Sequence, residues 1–103
     1  MIDEETDFSV IVGEDEIKVH KKLMAEFSPV FEAMLASGLK EAKENKMIIS
    51  KEEFPHKVVK YAIELCYKND VQNKLTLSEL LLLYQFAEKY EIKPIMASFT
   101  YLY

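Results

Sequence analysis

Residues 19–41, VHKKLMAEFSPVFEAMLASGLKE, constrain this chain more than any other stretch. Leu23, Met24 and Phe27 recur at helical spacing, and so do Phe31, Met34 and Leu35. Between the two groups stands Ser28-Pro29. The residue before a proline is pushed out of the helical region, so the first helix must stop at Ser28. Ser28 is a good N-cap, and Pro29 suits a first helical position where no backbone donor is needed. The next helix runs to Gly38, which fits a left-handed C-terminal cap. Two short helices joined by one residue are therefore expected here.

Upstream, Phe8, Val10 and Val12 alternate with Ser9 and Ile11, a period of two that reads as a strand. Gly13-Glu14-Asp15 signals a turn, and Ile17 and Val19 alternate in a second strand, making a hairpin. Residues 40–46 are charged and read as an exposed segment. Residues 47–49 form a third short strand. Phe54-Pro55 opens a third helix with the stripe Val58, Val59, Ala62, Ile63 and Cys66, and Asn69-Asp70 ends it. Thr76-Leu77-Ser78-Glu79 matches a capping box ahead of a fourth helix that reaches Tyr90. The apolar face of that helix is wide, so it is expected deepest in the core. Pro94 marks a boundary, and residues 95–102 read as a last helix. Three short strands and four or five helices make an α+β plan, a helical cluster capped by a short three-stranded sheet. No linker or repeat divides the chain, so 103 residues read as one domain, with 1–6 a short acidic extension.

The net charge of −5 argues against nucleic acid, which requires clustered Lys and Arg. The longest apolar run, residues 80–84, is too short for a membrane span. One cysteine rules out an intrachain disulfide and fits a reducing compartment, cytoplasm or nucleus. Two histidines and one cysteine are too few and too scattered for a zinc site. His20 reads as a buried histidine bonded to backbone, His56 as exposed, and Cys66 as a small core residue. The two glycines, Gly13 and Gly38, form no phosphate loop. Neither a cofactor nor a metal is expected, and the chain is read as a non-enzyme.

The strand pair, VHKK, SPVFEAM, the strand after the charged segment and AEKYEI occur in an order that resembles BTB/POZ domains, with most likeness to the MATH-BTB type of Cullin-3 ubiquitin-ligase adaptors. The resemblance implies a protein-docking module. Its leading role would be a substrate adaptor that binds the Cullin-3 N-terminal domain; the alternative is a homo-oligomerisation module of a transcription regulator or assembly protein. In the family a hydrophobic-any-acidic motif after the second helix takes part in cullin binding, which here is Leu39-Lys40-Glu41. Tyr67, Asn69 and Asp70 correspond to further positions of that surface. Read from its own chemistry, Leu39-Glu41 is equally a solvated loop pair, and Tyr67 equally a residue packed on the fourth helix. For a homodimer interface the resemblance implies Leu23, Asp7 and Lys21, with core packing the other reading of Leu23 and plain surface charge that of Asp7 and Lys21. Strong dimerisers carry a helix or strand before the position of Asp7. Here 1–6 stand there, so a weaker dimer is expected. The usual Tyr-Thr-Gly after the third helix is Tyr67-Lys68-Asn69, which implies a loop of different shape.

Overall fold

The hairpin forms as its alternation dictates. In this computed structural model, which describes residues 6–67 and 74–101 with side chains through residue 97, β1 (Phe8–Val12) pairs antiparallel with β2 (Asp15–Val19). The pairing register sets Phe8 against Val19 and Val12 against Asp15. Gly13 takes the first turn position at φ +62°, a conformation open to glycine at little steric cost. β3 (Lys46–Ile49) lies parallel to β1 on its other side, giving the order β2-β1-β3. Phe8, Val10 and Val12 of β1, with Met47 and Ile49 of β3, face the core.

Between the hairpin and β3 come α1 (Lys21–Phe27), α2 (Pro29–Ala36) and α3 (Lys40–Glu44). Ser28 interrupts α1 and α2 as its place before proline requires. Its hydroxyl accepts the Phe31 N–H at 3.0 Å, the N-cap of α2, and donates to the carbonyl of Tyr90. One buried oxygen thus completes the start of α2 and the end of a helix sixty residues away. α2 ends with Gly38 at φ +73° just beyond it. A β-carbon at Gly38 would meet nothing within 4 Å, so backbone angle and not crowding calls for glycine there. The charged segment after it reads from sequence only as exposed; five of its residues, Lys40–Glu44, are helical. Its lack of an apolar stripe hid α3 from periodicity.

α4 (His56–Cys66), α5 (Leu77–Tyr90) and α6 (Lys93–Tyr101) complete the cluster. The capping box at the head of α5 is complete: Glu79 N–H donates to the Thr76 hydroxyl at 3.2 Å, and Thr76 N–H to the Glu79 carboxylate at 2.8 Å. The Thr76 N–H, helped by Lys57, holds the Glu79 carboxyl below its usual range. α5 closes with Glu91 left-handed at φ 49°, and Ile92 N–H reaches back to the Ala87 carbonyl at 2.9 Å. This is a Schellman ending, sealed by burial of Ile92.

The expectation that α5 lies deepest is corrected. α4 does: Val58, Val59 and Ala62 are fully buried, with Ile63 and Cys66 beside them. α5 buries Leu83, Phe86 and Ala87 and leaves Leu77 and Leu81 in solvent. Hydrophobic width measures what a helix could bury, whereas the depth reached depends on how many of its sides meet other elements. α6 begins two residues earlier than 95, because Pro94 fits a first helical turn as well as it ends a preceding one.

Candidate functional site

Two clusters hold the residues singled out by sequence. The first is the N-terminus of α1. His20, its N-cap, makes no side-chain cap bond, so the first amides must find other acceptors. The His20 N–H donates to the Tyr67 hydroxyl at 2.9 Å, and the Lys21 N–H to Asp7 Oδ1 at 2.8 Å. His20 Nδ1 also meets the Tyr67 hydroxyl at 2.8 Å; with Nδ1 unprotonated, the phenol donates there. Burial pushes the Tyr67 phenol up, opposed by the bond from the His20 N–H and reinforced by the Asp7 charge. Asp7, His20 and Tyr67, remote in sequence, thus fix the start of α1. Asp7 and Lys21 meet, but through the lysine's backbone amide. His20 is half-buried, not buried as expected, and bonds a side-chain hydroxyl. Tyr67 turns its hydroxyl to the α1 end of the fold. Leu23, on the helix so anchored, is half-buried.

The second cluster is the start of α3. Leu39 is extended and 65% exposed, at the N-cap position, with no side-chain cap bond. Leucine is among the poorest N-caps, so local helix stability does not select it there. Ser37 holds the approach: its hydroxyl donates to the Met34 carbonyl at 2.6 Å and accepts the Leu39 N–H at 3.2 Å. Glu41, half-buried, stands in the first turn of α3, where a carboxylate suits the helix N-terminus. An apolar side chain thus stands in water at the head of α3, with an acid two residues on. Asn69 and Asp70, and with them the loop expected to differ in shape, lie outside the described residues.

Catalytic chemistry has little to build on. Among the described residues no group of three His, Cys, Asp or Glu could hold a metal ion, and no helix is long and apolar enough to cross a membrane. His56, in the first turn of α4, stands 3.9 Å from Asp15 and is about one-third exposed. Cys66 is buried on α4, and desolvation pushes its thiol up to about 12. Since the thiolate is the reactive form, Cys66 should resist an aromatic disulfide reagent at pH 8 in the folded protein and react at once in denaturant. Fast reaction without denaturant would mean that α4 is not packed as described.

Sequence reasoning missed the roles of Asp7 and Ser28 as caps for distant helices; neither leaves a trace in a local window. It also missed that Leu77, Leu81 and Tyr84 of α5 are exposed together. Their spacing of four and three was visible, but it reads identically for a buried stripe.

Against known proteins, the family profile described as "BTB/POZ domain" matches residues 3–102. Among solved structures, the BTB domain of zebrafish PATZ1 superposes with a TM-score of 0.74 at 18% identity, over 94% of this chain and 74% of that one.

Proposed function

Since the chain belongs to the BTB/POZ domain family, whose members are in general protein–protein interaction modules and not enzymes, we propose that it is a substrate adaptor that docks the N-terminal domain of Cullin-3 in an E3 ubiquitin ligase. The observation that carries the reading is Leu39, 65% exposed at the head of α3 with Glu41 two residues on. Leu39 fills an apolar pocket of the cullin, and the Glu41 carboxylate sets register. Tyr67, at the C-cap of α4, is assigned to the same surface, as are Asn69 and Asp70, which lie outside the described residues. The hydroxyl of Tyr67 is engaged by His20 and its ring packs partly against the core, so a partner would meet only the part of the ring left half-buried. Such an adaptor performs no chemistry; it raises the effective concentration of substrate beside the ligase.

Calorimetric titration with the Cullin-3 N-terminal domain tests this. Saturable binding is expected, with Leu39→Ala and Glu41→Ala each costing about 2 kcal/mol, or roughly 30-fold in Kd. If both variants bind as the parent does, the docking element lies elsewhere. No binding by the parent chain sinks the adaptor reading.

A second reading is a homo-oligomerisation module without ligase duty, which suits a family that typically homodimerises. It is favoured by α1, where Leu23 stands half-buried on a helix pinned at its start by Asp7 and Tyr67. On this reading Leu23, Asp7 and Lys21 border the dimer. Light scattering that shows a Leu23-dependent dimer, together with a silent cullin titration, would select it.

A further inference from the structure

We propose that the Ser37 hydroxyl is a spacer that holds Leu39 off the end of α2 and so presents its side chain to a docking partner. A helix that ends on a left-handed residue commonly closes in one way. The amide of the residue after it bonds the carbonyl five positions back, and an apolar side chain there folds onto the helix. α5 does this: beyond left-handed Glu91, Ile92 N–H reaches the Ala87 carbonyl at 2.9 Å, and Ile92 is 3% exposed. α2 has the same parts. Gly38 is the left-handed residue at φ +73°, Leu39 follows it, and the carbonyl five back is that of Met34. Yet Leu39 is 65% exposed.

The two endings differ by one hydroxyl. Ser37 Oγ stands between the groups that would otherwise meet: it donates to the Met34 carbonyl at 2.6 Å and accepts the Leu39 N–H at 3.2 Å. Serine is short enough to make such bonds to its own backbone. In α5 the same position is Tyr90, whose hydroxyl lies across a ring and cannot bridge there. The Leu39 carbonyl is taken by the Lys43 N–H at 3.0 Å, the first bond of α3. Both backbone groups of Leu39 are thus held while its side chain stays in water. Met34 is half-buried and packs on the core, so it offers Leu39 an apolar contact that the bridge denies. Helix stability does not select this arrangement, because direct closure would satisfy the same carbonyl and bury the leucine as well. Presentation of Leu39 does. That the partner is the Cullin-3 N-terminal domain rests on the adaptor reading; the spacer itself does not.

The test is Ser37→Ala in the full chain, which removes the bridge and leaves Gly38 to turn the chain. Leu39 N–H can then bond the Met34 carbonyl directly, and methyl-labelled NMR should show a contact between the Leu39 and Met34 methyls that the parent lacks. Titration with the Cullin-3 N-terminal domain should weaken roughly three- to tenfold, since apparent affinity falls with the fraction of chains that keep Leu39 out. Thermal unfolding should be unchanged or slightly higher, which loss of a purely structural residue would not give. Ser37→Thr keeps the hydroxyl and should bind as the parent does. In a Leu39→Ala background, Ser37→Ala should cost nothing further, because the two act through one side chain. The proposal is overturned if the alanine variant shows no Leu39–Met34 contact, if it binds as well as a parent that binds, if its loss persists without the Leu39 side chain, or if its unfolding midpoint falls along with its affinity. A parent that does not bind the cullin domain sinks the adaptor reading alone. The methyl contact, and its absence in the threonine variant, then still decide whether Ser37 holds Leu39 out.

Discussion

Phe86→Ala is expected to lower the unfolding free energy by about 3–5 kcal/mol. Phe86 is buried on α5 and stacks edge-on to Phe54 with ring centroids 5.1 Å apart, while Tyr90 lies tilted at 5.0 Å. Truncation removes the transfer energy of the ring, the two aromatic contacts and the packing of its neighbours. A domain of this size has about 5–15 kcal/mol in all, so the variant would stand near the edge of folding. Urea unfolding checks this: the midpoint should fall with the slope unchanged. The nearby Lys89–Glu53 pair makes a useful contrast. Lys89 contacts both carboxylate oxygens, at 3.1 and 3.0 Å, yet both side chains are about half exposed, so Lys89→Met should cost under about 1 kcal/mol. A Phe86→Ala loss as small as that would mean the ring is not in the core.

Ser28→Ala comes next, at about 2–4 kcal/mol. It removes the N-cap of α2, worth about 1 kcal/mol. It also deprives the Tyr90 carbonyl of the donor that meets it at the end of α5, in a setting where a lost partner costs about 1–3 kcal/mol. Thr76→Ala is the control, since Thr76 caps one helix from an exposed position. If thermal or urea unfolding gives equal losses for the two, the bond to Tyr90 contributes nothing and the joint between α2 and α5 is looser than described. Thr at 28 keeps the hydroxyl but adds a methyl to a closed site, so it should recover part of the loss.

Local chemistry made much of this protein legible. The break at Ser28-Pro29, the glycine after α2, the capping box before α5 and the alternation of β1 are each decided within four or five residues, by steric limits and backbone donors that need local partners. The stripe of α4 was equally plain, since five apolar positions at helical spacing leave a helix one face to bury. Leu39 and Glu41 could be named from their order in the chain. That Leu39 stands in water was a matter for the structure, because an exposed leucine and a core leucine are the same letter.

What the sequence by itself determined was where elements begin and end, which residues belong to one face, and, through the order of its motifs, the family. Tertiary structure alone decided that Asp7 and Tyr67 serve the first amides of α1, that Ser28 reaches Tyr90, that α4 and not α5 lies deepest, and that Leu77, Leu81 and Tyr84 remain outside. The physical reason is common to all four. Hydrogen-bond partners far apart in sequence, and the number of sides on which a helix meets neighbours, are set by how elements pack, and periodicity within one element carries no information about the elements beside it.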